Sequence, residues 1–376
     1  MRMEIMISSD QELSEAIASA KGPLRIVGGG TRPIGTVKES QALQVGGLAG
    51  VTLYEPGALT LVAKAGTPLA EVETLLASEG QRLAFEPMDH RGLLGSSGEP
   101  TMGGLVAANV SGSRRIQAGA CRDFLLGVQF VDGMGQIIKN GGRVMKNVTG
   151  YDLVKLMAGS FGTLGVLSEV SLKVLPMAEA SAVLLINGLS DERAIAALSQ
   201  ALGSPFDVNG AAHIPMGFKP EAITMIRLEG FEASVSYRAG KLRHELASIG
   251  DIEIETSEAR ISAMWKNIRD VEAFHGKPGD VWRISVKPSD GPLVGALLRK
   301  IGASVQYDWG GGLVWALLDA GTDVRGVLAG INGHARLERG SGQATFPSQG
   351  ELLDTMAAKL RAKFDPRGIL NPGLMG

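Results

Sequence analysis

Three glycine-rich segments carry the residue types that could hold an anionic cofactor: Gly28-Gly29-Gly30-Thr31, Thr101-Met102-Gly103-Gly104, and the run GSFGTLG from Gly159 to Gly165. Consecutive glycines can aim several backbone N–H groups into one concave nest, because glycine alone takes positive φ without a steric penalty. A pyrophosphate fits such a nest, although a plain tight turn uses the same residues. The second segment stands where a helix would begin, and free first-turn N–H groups together with the macrodipole favour negative charge. The third is poor in side chains and suits close approach of backbone to a planar ring; a packing loop is the alternative.

Other chemistries fit less well. Gly28-x-Gly30-x-x-Pro33 places proline where a dinucleotide fingerprint needs its third glycine, and no G-x-x-x-x-G-K-[ST] exists in the chain. The five histidines (His90, His213, His244, His275, His334) are scattered, so no metal is expected. The single cysteine, Cys121, excludes an internal disulfide and an iron–sulfur cluster held by this chain alone; it reads as a small buried packing residue. Lys146, Arg283 and Arg336 are candidate cations near a bound anionic cofactor, with surface ion pairing as the alternative. Trp282, Trp309 and Trp315 are read as one apolar face that meets the cofactor or another subunit, or else as a core cluster.

The elements that must position these residues follow from periodicity and punctuation. Residues 11–20 read as an amphipathic helix, followed by the strand Leu24 to Val27 and the first glycine loop. Leu59 to Ala65 is β-like, and Thr67-Pro68 supplies an N-cap and first-turn proline for a helix through Ser78, stopped by Gly80. A helix opens at 101–110, residues 127–139 form a hairpin turning at Asp132-Gly133, and the strand from Val166 to Leu175 ends at Pro176. Beyond about 180, strand, helix, strand units recur at 181–214, 222–256, 281–309 and 312–338, which implies an antiparallel sheet with helices on one face. A helix from Glu351 to Lys363 precedes the fixed loop FDPRGILNPG.

Composition narrows the class. The chain's 376 residues favour two or three domains. Lys and Arg number 37 against 39 Asp and Glu, for a formal net charge of -2, so nucleic acid is not an expected partner. Glycine is 52 of 376, about twice the usual share of roughly 7%, and it concentrates before residue 170. No basic start followed by a long apolar stretch opens the sequence, and no run of 18 apolar residues occurs. A cytoplasmic protein is therefore expected, peripheral at a membrane only through partner subunits.

In order along residues 20–176, R-x-x-G-G-G, A-G-T-x-L-x-E (Ala65 to Glu71), T-x-G-G-x-x-A-x-N and G-x-x-G-x-x-x-E-V-x-L-K-V (Gly162 to Val174) resemble the PCMH-type FAD-binding domain of the vanillyl-alcohol-oxidase flavoprotein superfamily. The segments LAFEPMDH (83–90), VSGSRR (110–115), RDFLLGVQFVDGMGQ (122–136), VWRISVKP (281–288), YDWGGGLVW (307–315) and FDPRGILNPG are similar to the smaller FAD-binding subunit of bacterial glycolate oxidases. Pro87-Met88-Asp89-His90 departs from the relatives' Pro-Pro-His.

The resemblance implies an α+β fold: a PCMH-type two-subdomain FAD-binding domain at 1–176 (subdomains about 1–53 and 54–176), an α+β cap at 177–345, and a segment at 346–376 that returns toward the flavin domain. It assigns cofactor binding to Gly28, Gly29, Gly30, Thr31, Thr101, Gly103, Gly104, Asn109, Gly112, Gly165 and Val166. Thr31 occupies the position where covalent members carry histidine, so the FAD is expected to be noncovalent. The histidine-rich G-D-G-N-x-H segment of the larger catalytic subunits is absent, and no catalytic residue is assigned.

Three readings follow. The first is an FAD-binding subunit of a glycolate or other 2-hydroxy-acid oxidase complex, beside a catalytic flavoprotein subunit and an iron–sulfur subunit. The second is an independent FAD enzyme acting on a small alcohol or hydroxy acid. The third is a flavin-free scaffold subunit.

Overall fold

The computed structural model describes residues 5–143, 150–216 and 221–375. Lys146, a candidate cation above, lies outside the described residues.

The first unit is a parallel three-stranded sheet of β1 (Ile5–Met6), β2 (Leu24–Val27) and β3 (Gln41–Gln44), in the order β1-β3-β2. The helix Asp10–Ser19 buries Leu13 and Ile17 at i and i+4, and the Ser9 hydroxyl caps it by accepting from the Glu12 N–H. Next in the chain are β4 (Val51–Glu55), β5 (Thr60–Lys64), β6 (Gln81–Arg82), β7 (Leu125–Val131), β8 (Ile137–Gly141), β9 (Val166–Lys173) and β10 (Leu175–Pro176). Five of them form an antiparallel sheet in the order β4-β5-β9-β7-β8, while β10 pairs with β6. Its central strands β5, β9 and β7 are buried along most of their length, as in a sheet covered on both faces.

Two details differ from expectation. The helix Leu69–Ser78 begins after Pro68, and Thr67 does not cap it. The Thr67 hydroxyl instead donates to the Lys64 carbonyl and accepts from the Gly50 N–H. In the β7–β8 hairpin the Asp132 carboxylate accepts from the N–H groups of Met134 and Gln136, and the residue at positive φ is Gly135. Gly133 serves packing, for an added Cβ would run into Asp365.

The second half is one eight-stranded antiparallel sheet built from β11 (Ala180–Asn187), β12 (Gly210–Ile214), β13 (Ile223–Gly230), β14 (Ile252–Glu255), β15 (Asp280–Val286), β16 (Ser304–Asp308), β17 (Leu313–Leu318) and β18 (Gly333–Arg339). Their order is β14-β11-β13-β12-β16-β17-β15-β18. The four strand, helix, strand units appear where the sequence placed them. Helices do not all lie on one face, however. Asp191–Gly203, Glu232–Glu245 and Gly291–Lys300 cover the face carrying Ala182, Leu184, Ile226 and Val314, whereas Glu258–Asp270 packs Ile261, Trp265 and Ile268 against Val183, Ala212 and Met225 on the other.

The tryptophans do not form an exposed face, because strand alternation sends them to opposite sides. Trp282 is fully buried under the outer helices, while Trp309 and Trp315 are buried in a core shared with the N-terminal region. That shared core, with Val281, Leu313 and Leu317 beside Phe85, Leu105 and Leu125, fixes the sheet against the first half. Ion pairs Arg82–Glu229 and Arg227–Glu86 cross the same seam. Among the described residues no helix is long and apolar enough to cross a membrane.

Candidate functional site

The first glycine loop leaves β2 and runs along a cavity whose walls also include Thr101, Gly103, Gly104, Phe161, Gly162, Gly165 and Val166. Gly28, Gly29, Gly30 and Thr31 line it as well, so the three segments singled out in the sequence converge on one space. Asn109 and Gly112 lie outside that lining. The Asn109 carboxamide oxygen accepts from the Arg122 N–H, and the Gly112 carbonyl accepts from the Trp309 indole at 3.0 Å. Both organise the loops behind the cavity.

The two anion-ready segments turn out unlike one another. In the helix Met102–Ala107 the first-turn donors are already taken: Met102 N–H donates to the Thr67 carbonyl, Gly103 N–H to the Ala65 carbonyl, and Gly104 N–H to the Thr101 hydroxyl. Gly103 is there to let helix and loop meet, since a Cβ would stand 2.6 Å from that of Ala65. The expectation of free N–H groups fails at this helix because the chain itself supplies the acceptors. From Gly28 to Arg32, by contrast, no backbone N–H has an acceptor among the described residues. Gly28 and Gly29 are half-buried and Gly30 is exposed along the cavity, so their N–H groups are open to an anion, and this loop is the one that fits it.

Glycine is required around the loop for different reasons. At Gly28 a Cβ would lie 2.6 Å from the Thr101 hydroxyl oxygen, and at Gly29 it would collide with the Glu99 carbonyl. Gly30 takes φ of 71°. Gly104 faces the cavity, where a Cβ would meet the Thr101 hydroxyl oxygen at 3.2 Å and a guanidinium nitrogen of Arg32 at 3.3 Å. Gly165 packs on Phe130, 2.6 Å from where its Cβ would be.

Two residues unnoticed in the sequence complete the site. Arg32 lines the cavity with a guanidinium that has no hydrogen-bond or ion-pair partner among the described residues, and burial lowers that group to about 10. Asn371, from the closing loop, accepts from the Ile26 N–H and donates to the Phe161 carbonyl, both at 2.8 Å, tying β2 to the third glycine segment. The tail reaches this point because β2 pairs beside it at Leu24 and Leu370. Phe161 itself is held at φ of 52°, a region uncommon for a bulky side chain and typical of constrained sites.

His90 is buried near this wall. Its Nδ1 lies 3.3 Å from the Met88 carbonyl, and burial, with Arg32 and Arg336 nearby, holds the ring well below its usual pKa and therefore neutral. Cys121 is buried and its thiol is pushed up by burial, which makes it inert. Arg336 is paired with Glu338, and Arg283 lies opposite it across β15 and β18. The whole arrangement suits an elongated ligand with a central anionic group and a flat ring, which are the features of a flavin dinucleotide.

Comparison with known proteins gives the same direction. A sequence profile described as an FAD binding domain matches residues 3–141. The glycolate oxidase subunit GlcE of Escherichia coli (strain K12) is 35% identical over 369 residues, covering 97% of this chain and 95% of the relative. The glycolate oxidase subunit GlcD of Bacillus subtilis (strain 168) is 26% identical over 329 residues, covering 73% of this chain and 68% of the relative. Among solved structures, an alkyldihydroxyacetonephosphate synthase superposes with a TM-score of 0.71 at 16% identity, over 98% of this chain and 76% of that one, which is a likeness of fold.

Proposed function

Because the chain belongs to the PCMH-type FAD-binding family that includes the Escherichia coli glycolate oxidase subunit, we infer that it is the FAD-binding subunit of a multi-subunit 2-hydroxy-acid oxidase or dehydrogenase acting on glycolate or D-lactate. The observation that carries this reading is similarity along nearly the whole of both chains, joined to a cavity where the Gly28–Arg32 loop offers unpaired N–H groups.

In this reading Gly28, Gly29, Gly30 and Thr31 present backbone N–H groups to the pyrophosphate, and Arg32 adds a fixed positive charge. Thr101, Gly103 and Gly104 set the close approach of helix to cofactor, while Gly165 and Val166 lie along the ring or adenine side. Asn109 and Gly112 support these loops from behind. FAD, when bound, supplies acceptance of two electrons from a substrate and their onward release. Residues 1–176 serve as the flavin domain, 177–345 as the cap and 346–376 as the segment that closes the site.

The partners proposed are a catalytic flavoprotein subunit and an iron–sulfur subunit. Oxidation of a hydroxy acid needs a proton acceptor for the hydroxyl, and general bases contribute about 10² to 10⁴ in rate. The chain lacks the histidine-rich segment of the catalytic subunits. The test is dye-linked reduction by flavin-saturated protein, first alone and then with both partners, using glycolate and D-lactate. Negligible turnover alone and activity in the complex are expected; robust turnover by the isolated chain would make it an independent dehydrogenase.

A further inference from the structure

β11 is paired along its whole length on one side only. β13 matches it from Ala180 to Asn187, whereas β14 matches it only from Val183 to Ile186. The chain leaves the sheet after Glu255, whose carboxylate accepts from the N–H groups of Thr256 and Ser257 at 3.0 and 2.7 Å, and it then enters the helix Glu258–Asp270. Beside Ala180, Ser181 and Ala182 the outer strand position therefore carries no strand among the described residues. A sheet edge left open in this way is a template for another extended chain.

That position is a groove of about 1050 Å³, with residues 180–182 along it. The helix Glu232–Glu245 forms one wall through Val235, Ala239 and Gly240, and the helix Glu258–Asp270 forms the other through Ile261 and Trp265. The two helices cover opposite faces of the sheet. Successive side chains of a strand added here would thus turn first to one wall and then to the other. Gly240 stands in the middle of its helix, where a Cβ would meet nothing within 4 Å. Glycine in a helix interior is destabilising, and neither a positive φ nor packing within the chain calls for it here. Its effect is to keep the groove wide.

The charge along the groove is unbalanced. Arg82, Glu86, Arg227, Glu229, Lys266 and Arg269 are held in ion pairs. Glu179, Glu232 and Glu258 are exposed and have no ion-pair partner among the described residues, against Arg243 alone of the opposite sign. The Trp265 indole N–H, on a lining residue 4% exposed, is buried without an acceptor. An extended chain with basic side chains brings both the positive charge and the carbonyl acceptors that this wall lacks.

We propose that the groove binds an extended segment of a partner protein, basic at its ends and apolar between, which pairs with residues 180–182 and continues the sheet in line with β14. Backbone pairing supplies the affinity, the two helices receive alternate side chains, and Glu179, Glu232 and Glu258 select lysine or arginine. This surface is separate from the flavin cavity and independent of the acid that is oxidised.

The probe is a fluorescein-labelled peptide with blocked ends, Lys-Lys-Val-Thr-Val-Lys-Lys, titrated into the purified flavin-containing protein at low salt and followed by anisotropy. Saturable binding near one peptide per chain is expected, and the same peptide with glutamate for every lysine should not bind. Successive N–H groups of a strand point to opposite edges, so of two peptides N-methylated on alternate residues at least one should bind about tenfold more weakly or worse. Gly240→Leu should lower affinity about tenfold or more while Tm and flavin content stay at the wild-type level. Joint reversal of Glu232→Lys and Glu258→Lys, both at exposed positions, should weaken binding about tenfold, and it keeps the test open if Gly240→Leu does not fold. Absence of saturable binding would overturn the proposal, as would wild-type affinity in both variants. Undiminished binding of both methylated peptides would rule out strand pairing, and equal binding of the glutamate peptide would rule out selection for basic segments. A concentration-dependent dimer in sedimentation, abolished by Gly240→Leu, would give the groove to a second copy of the chain and overturn the assignment to a partner protein.

Discussion

The Ser113 hydroxyl donates to the Asp308 carboxylate at 2.6 Å, joining the loop behind the flavin cavity to the end of β16. Asp308 also accepts from the Trp309 N–H at 2.7 Å and is 2% exposed. Burial raises its carboxyl from 3.8 to about 6, against the lowering effect of those two bonds. A carboxyl raised on folding binds its proton more tightly in the native state, so its stabilising effect is complete below pH 3.8 and disappears as pH rises through about 6. The Tm difference between wild type and Asp308→Asn should therefore move against the wild type between pH 4 and 6.5 and level off above. The full swing is about 3 kcal/mol at most. A difference that does not change with pH would sink this account.

Gly104 and Gly29 should respond differently to valine. Gly104→Val projects into the cavity beside Arg32, so the protein should fold with nearly wild-type Tm and lose most of its flavin. Gly29→Val meets the Glu99 carbonyl, so it should lose both flavin and stability, by about 1–3 kcal/mol as overpacking does. Flavin-to-protein absorbance ratios and thermal melts on both variants decide the matter. Full flavin in Gly104→Val would mean that this stretch of wall contacts no cofactor.

Asn371→Ala removes an acceptor from the Ile26 N–H and a donor from the Phe161 carbonyl at a buried position. Leaving two groups unpaired costs about 1–3 kcal/mol each. Holding alanine at the φ of 44° found here adds about 1 kcal/mol. Flavin should dissociate faster from this variant. Asn371→Asp, which keeps only the bond to Ile26, should fall between. Wild-type stability in the alanine variant would show that the tail is merely adjacent.

The FAD should leave with acid. Thr31 has no nucleophile suited to a flavin link, and Cys121 is buried with its thiol pushed up by burial. Precipitation with trichloroacetic acid should leave a colourless pellet and a yellow supernatant; a yellow pellet would prove covalent attachment.

The strand and helix pattern was legible because burial repeats locally. Leu13 and Ile17 mark a helix, and the four units after residue 180 show alternating strands with apolar helical stripes between them. The helix Glu258–Asp270 went unread although Ile261, Trp265 and Ile268 stand at i, i+4 and i+7, which was signal enough. Of the two readings of the tryptophans the core one holds, though split between two cores, for a physical reason: which side of a strand meets which layer is set by pairing across the sheet, and Trp282 and Trp315 lie two strands apart in chain order with opposite parity. In the site, glycine spacing located the cavity, but not which N–H groups remain free. That depends on acceptors from Ala65 and Thr67, reached only after folding. Arg32 and Asn371 carry no motif beyond their neighbours, and their roles come from contacts with distant segments.

The Asn371 bridge also bears on when the protein can mature during synthesis. Gly28 leaves the ribosome long before the residue that ties its strand to the Phe161 loop, and at about 5–20 residues per second the gap is roughly 20–70 s. Through that interval Ile26 and Phe161 lack the carboxamide that joins them. The bridge can thus form only once residue 371 has been made, and a ribosome stalled shortly before it would hold a nascent chain in which Ile26 and Phe161 are not yet joined.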